Sequence, residues 1–179
     1  MRLPTRDKAN LTDMNGSADS ELFDALPTGG RPAARGRTHG AVWLAVRLLG
    51  ALAVLATGAV HLYEFDHFYS QIPTIGTLFF LNFIGATAIG LGLLAPVERV
   101  GGRYGSTLLV LLAAAGIALA AVAFVFLLIS ERTPLFGFEE PGYDPAGIAA
   151  ARAAEVAAVV FLGASLVGRL GLKAPMWRW

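Results

Sequence analysis

The stretch Thr107–Ile129 reads TLLVLLAAAGIALAAVAFVFLLI and decides the fold. It carries no charged side chain and is apolar on every face of a helix. A helix on the surface of a soluble protein needs a polar stripe. Lipid is the solvent that tolerates a helix apolar all round, because the helix satisfies its own backbone groups. A helix rises about 1.5 Å per residue, so roughly 20 such residues cross a bilayer. This stretch is long enough.

Three further segments qualify on either side of it. Ala41–Tyr63 is interrupted only by Arg47, Thr57 and His61. Ile75–Ala95 has Asn82 as its most polar member and stops at Pro96. Gly147–Leu170 is the least apolar, with Arg152 and Glu155 in its first turns. The expected fold class is therefore all-α: a polytopic membrane protein built as a bundle of four transmembrane helices, at about 41–63, 75–95, 107–129 and 147–170. The composition agrees. Apolar residues make up 55% and charged residues 15%, against about 25% charged in soluble proteins. The competing reading, a soluble helical bundle with a large core, fails on the third segment.

Residues 1–40 mix charges with Gly, Pro, Ser and Thr and show no periodicity. Such a segment buries too little apolar surface to offset its ordering entropy, so a disordered tail is expected there. Leu22, Phe23 and Leu26 are placed for a short helical turn within it. Residues 171–179 form a second, short tail. The connections 64–74, 96–106 and 130–146 are short enough for a compact bundle. Glycines at 50, 58, 85, 90, 92, 116 and 163 suit close approach of helix backbones in lipid.

Orientation follows from the fourteen basic residues. Two of them, Arg132 and Arg152, fall on one side, and the other twelve fall on the side of the chain ends. Lys and Arg mark the cytoplasmic side. Both termini are therefore expected in the cytoplasm, with the protein in the inner (plasma) membrane. A composition rich in Ala, Gly, Val and Arg suggests a bacterial source. Trp43, Tyr104, Trp177 and Trp179 fall at the inner interface, and Tyr63, Phe68, Tyr69 and Tyr143 at the outer one, where amphipathic rings prefer to sit.

The chain has no cysteine, which excludes disulfides, thiolate catalysis and cysteine-ligated metal or iron–sulfur sites. It has no G-x-x-x-x-G-K-S/T phosphate loop, no G-x-S-x-G elbow and no H-E-x-x-H zinc helix. The basic residues of the tail are sparse and lack interleaved aromatics, which argues against nucleic acid as a partner. The expected partners are the lipid bilayer and other membrane protein subunits.

Two constellations carry polar chemistry. The first is depth-matched. His61 and Glu155 each lie fourteen residues from an inner arginine, Arg47 and Arg169 respectively, which is about 21 Å of helix. Asn82 lies at a similar depth. Three polar groups at one level on three helices are costly against lipid and should turn inward. Arg152, three residues before Glu155, is placed to neutralise it, so Glu155 is expected ionised and paired. This cluster reads either as a structural clamp or as a small pocket open to the outside, able to take a quinone head group, another small ligand or a metal, or to relay protons. The second constellation is His61, Glu64 and His67. Imidazole and carboxylate suit divalent transition metals. His61 and Glu64 share a helix face, but His67 sits about 120° away at 100° per residue, so the three can meet only if the chain bends after Glu64. The alternative is ordinary interfacial hydrogen bonding. The outer loops also hold an excess of acids, a rim that reads either as solubilising or as attractive to cations.

The run Arg47-Leu48-Leu49-Gly50, followed by Gly58-Ala59-Val60-His61-Leu62, resembles the first helix of DoxX-like membrane proteins. These are small four-helix proteins with an arginine near the start of the helix, a spaced glycine, and a glycine followed three residues later by Lys or His. The resemblance covers that helix and, loosely, the four-helix layout. It implies association with membrane redox complexes, in some members quinone-linked. It makes His61 a candidate ligand or polar anchor and assigns no catalytic residue. The sequence thus points to a non-enzymatic subunit or accessory of a membrane complex. The alternative is a DoxX-like redox-associated protein with quinone or a divalent metal as cofactor at an outward-facing polar pocket. A small transporter is disfavoured by how little polar lining four short-looped helices offer.

Overall fold

The computed structural model describes residues 33–140, 142 and 144–171. Its elements are α1 (Ala33–Glu64), continued by a π turn over Phe65–Tyr69, then α2 (Pro73–Leu94), α3 (Gly105–Ser130) and α4 (Pro145–Leu170). A single helical turn, Val97–Val100, and a 3-10 turn, Gly102–Tyr104, join α2 to α3. There is no strand among the described residues. Four spans are long and apolar enough to cross a membrane: Gly40–Tyr69, Pro73–Leu94, Gly102–Ser130 and Pro145–Arg169. The chain is an all-α integral membrane protein. Among the described residues, those from 39 to 171 belong to one compact unit, and the first turns of α1 fall outside it.

Local chemistry sets the helix ends. Pro73 opens α2, where the missing N–H costs nothing. Pro96 follows the end of α2, and the residue before a proline is pushed out of the helical region; Ala95 is extended at ψ 149°. Asp144 caps α4 by accepting from the Ala146 N–H at 3.0 Å, with Pro145 at the first position. Gly171, at φ 62°, closes α4 in the left-handed conformation.

Two boundaries differ from the sequence reading. Helix α1 begins at Ala33, not Ala41, so residues 33–40 are helical where a tail was expected. A nucleated helix propagates cheaply into such a segment without burying an apolar face. At its other end the first span continues beyond Tyr63 to Tyr69, through the π turn. The tail expected at 1–32, the turn placed at Leu22–Leu26, and residues 172–179 with Trp177 and Trp179 lie outside the described residues.

The helices pack against one another through small residues. A Cβ on Gly90 of α2 would lie 2.5 Å from Leu55 Cγ and 3.3 Å from the Ala51 carbonyl of α1. At the centre, a Cβ on Gly116 of α3 would meet Leu162 of α4 at 2.7 Å, Val54 of α1 at 3.3 Å and Ile89 of α2 at 3.4 Å. Leu162, Val54, Ala86 and Ala120 are fully buried in this layer. Gly163 meets nothing within 4 Å, so it is the one glycine of the seven that does not serve a helix contact. The end where α1 and α3 begin is called the lower end here, and the opposite end the upper.

Candidate functional site

In the upper half, a cavity of about 470 Å³ separates α2 from α3. Just below it, a Cβ on Gly85 of α2 would lie 2.8 Å from Leu119 of α3. Most of the wall is apolar, including Leu78, Phe79, Ala123, Phe126, Leu127 and Ile148. The polar lining is His61, Glu64, Tyr69, Asn82, Ser130, Glu140 and Glu155.

Glu155 is 1% exposed and His61 8%. The Nδ1 of His61 lies 2.8 Å from the Thr57 carbonyl. A carbonyl only accepts, so Nδ1 carries the hydrogen. That leaves Nε2 facing Glu155 Oε1 at 3.9 Å. The other carboxylate oxygen, Glu155 Oε2, is buried without a hydrogen-bond partner. So are Glu64 Oε1 and Asn82 Oδ1. Buried polar atoms are nearly always paired, and here three unpaired oxygens line one cavity.

The π turn shapes the upper wall. Its wider winding returns residue i+5 toward the face of residue i, which carries Tyr69 back over Glu64. Both side chains are buried and both line the cavity. Tyr69 donates to Glu140 and meets Phe138 edge-on at 5.7 Å between ring centres. The Glu140 N–H donates to the Ser130 carbonyl at 2.8 Å, so the segment after α3 folds over this end. Glu64 lies over the first turn of α4, where any side chain at Gly147 would strike its carboxylate.

The opening is lateral. Among the lining residues, Leu81 (57%), Val122 (52%) and Ala118 are the exposed ones. All three are apolar and sit on α2 and α3 within the candidate spans. The mouth therefore faces where lipid runs, not the water beyond the loops.

The structure gathers His61, Asn82 and Glu155 around this cavity and adds Glu64. Arg152 does not make the expected direct ion pair with Glu155, although its charge reaches that carboxyl. Arg152 binds both carboxylate oxygens of Glu131 instead. The reason is reach: Arg152 is half-buried near the start of α4, beside the end of α3, whereas Glu155 turns inward. The conditional triad of His61, Glu64 and His67 is not assembled. The chain does not bend after Glu64 but winds on, leaving His67 exposed, stacked on Tyr63 at 4.1 Å and bonded to the Tyr63 carbonyl. No group of three His, Asp or Glu side chains among the described residues is arranged to hold a metal ion. Tyr69 and Glu140, which sequence reading did not select, complete the upper wall. Their signal was the π turn, and no local sequence pattern announces one.

Compared with protein-family models, curated proteins and solved structures, the chain matches none.

Proposed function

We propose that this integral membrane protein binds a bilayer-dissolved molecule of the quinol class, entering between α2 and α3 with its head toward Glu155. The observation that carries the reading is the set of three buried, unpartnered oxygens lining a mostly apolar cavity that opens sideways. Each of these oxygens can accept a hydrogen bond, so a head group with donors is complementary to them, and a quinol offers two hydroxyls. An apolar tail suits the Leu81–Val122 mouth. A cavity of this size falls within the range of small-molecule sites, which are mostly apolar with a few convergent polar groups.

The chain acts in this proposal as a binding subunit or accessory of a membrane redox complex and performs no oxidation by itself. The DoxX-like run Arg47–Leu62 supports the same reading. The twelve-to-two division of basic residues supports placing both chain ends in the cytoplasm of a bacterial inner membrane.

Titration of the purified protein in nanodiscs with a short-chain quinol and the matching quinone tests the reading. Saturable binding is expected, with the quinol about tenfold tighter because a quinone offers no donor to these oxygens. Equal affinity for both forms, or no saturation, contradicts it.

A further inference from the structure

A second cavity, of about 280 Å³, lies at the lower end between α1 and α4, away from the proposed quinol site. Trp43, Arg47, Glu98, Ser165 and Arg169 line it. Glu98, on the short connection after α2, accepts from Arg47 Nη1 at 3.4 Å and from Arg169 Nη2. Two guanidiniums thus share one carboxylate, a formal excess of one positive charge. The Arg47 side chain is only 11% exposed, and its Nε is buried with no hydrogen-bond partner. A guanidinium carries five N–H donors in a planar fork, and most of the donors on Arg47 face no acceptor in the protein. Glu98 is half-exposed and already shared, so it does not meet that demand.

We propose that this cavity holds a phosphate group, and that its source is the head of an anionic phospholipid. Phosphate oxygens match the guanidinium fork in geometry and charge. Depth favours the lipid. Arg169 ends the fourth span and Glu98 lies just outside the second, so the site sits at head-group level. Trp43 packs over Gly168 beside it, and tryptophan prefers that level. Anionic lipid is drawn to basic groups at such a position.

The full chain, reconstituted in nanodiscs of equal parts phosphatidylcholine and phosphatidylglycerol and then released for native mass spectrometry, tests this. The wild-type protein is expected to retain phosphatidylglycerol about tenfold over phosphatidylcholine. Arg47→Gln and Arg169→Gln should each bring the ratio toward parity. Glu98→Gln should keep the preference or strengthen it, because it removes the competing anion. Arg47→Lys, which keeps the charge but loses the fork, should fall between. The wild-type ratio needs no variant to fold. Equal retention of the two lipids by the wild-type protein overturns the proposal, as does full retention of phosphatidylglycerol by a folded Arg47→Gln, Arg169→Gln double variant. Adding inorganic phosphate separates the sources: retention of the lipid supports it as the occupant, and its replacement by phosphate overturns the lipid assignment.

Discussion

The two halves of the bundle use the same four helices and solve opposite problems. In the central layer, glycines let backbones approach, and Leu162, Val54 and Ala86 are fully buried between the helices. In the upper half, α2 and α3 part above Gly85, large rings such as Phe79 and Phe126 stand along the gap, and the polar groups of three helices meet there. Lipid tails are as apolar as leucine, so helix association in a membrane rests on close packing and not on the hydrophobic effect. A cavity that forfeits this packing, and adds unpaired oxygens to it, costs stability twice over. The large, mostly apolar cavity lies in the upper half, whereas the lower half holds only a smaller cavity lined by charged side chains at its rim.

The sharpest way to break the comparison is to enlarge a small residue in each half. Gly90→Val should destabilise the bundle by about 3 kcal/mol, because the new side chain meets Leu55 and the rigid Ala51 carbonyl. Ala123→Phe, which points the same change at the cavity, should cost under about 1 kcal/mol and abolish quinol binding. Thermal unfolding in one detergent checks both. Equal losses would erase the distinction between the halves.

Glu155→Gln should weaken quinol binding about tenfold by replacing one carboxyl oxygen with an amide NH₂ that cannot accept. The fold should survive, which circular dichroism verifies beside the titration. Smaller still is the ion pair above the cavity. A double-mutant cycle between Glu131 and Arg152 should give a coupling of about 0.2–1 kcal/mol, typical of partly exposed pairs. The corresponding cycle between Arg152 and Glu155 should give less. A larger coupling in the second cycle would restore the pairing expected from the sequence.

The smallest effect concerns pH at the lower end. The Arg169 hydrogen bond, opposed by partial burial and helped by the charges of Arg169 and Arg47, holds the Glu98 carboxyl below its usual range. A depressed carboxyl contributes stability above its unfolded value of about 4.3, and loses that contribution as the pH falls through the lowered one. The difference in melting temperature between wild type and Glu98→Gln should therefore stay flat from about pH 8 to 5 and shrink below about pH 4. A difference that shrinks as the pH rises would reverse the sign.

How much of this was legible depended on whether the signal was local. Thr107–Ile129 announced a lipid-facing helix by composition alone, and the end of the second helix followed from Pro96. The inward turn of His61, Asn82 and Glu155 was readable because depth along a helix is arithmetic. The partner of Arg152 was not, because i−3 spacing favoured Glu155 and only tertiary packing brings Glu131 within reach. The π turn was equally hidden. It adds one residue to a winding that the pattern counts as regular, and that extra residue separates His67 from Glu64 and recruits Tyr69 in its place. The lateral mouth needed the exposure of Leu81 and Val122 in three dimensions, since both read as ordinary lipid-facing residues.

The most direct measurement uses a quinol analogue with a photoreactive diazirine on its tail, cross-linked in nanodiscs and mapped by peptide mass spectrometry. The account predicts labels concentrated on α2 around Leu81 and on α3 around Val122, much reduced in Ala123→Phe and in Glu155→Gln. Labels spread evenly over all four helices, or unchanged in both variants, would contradict it.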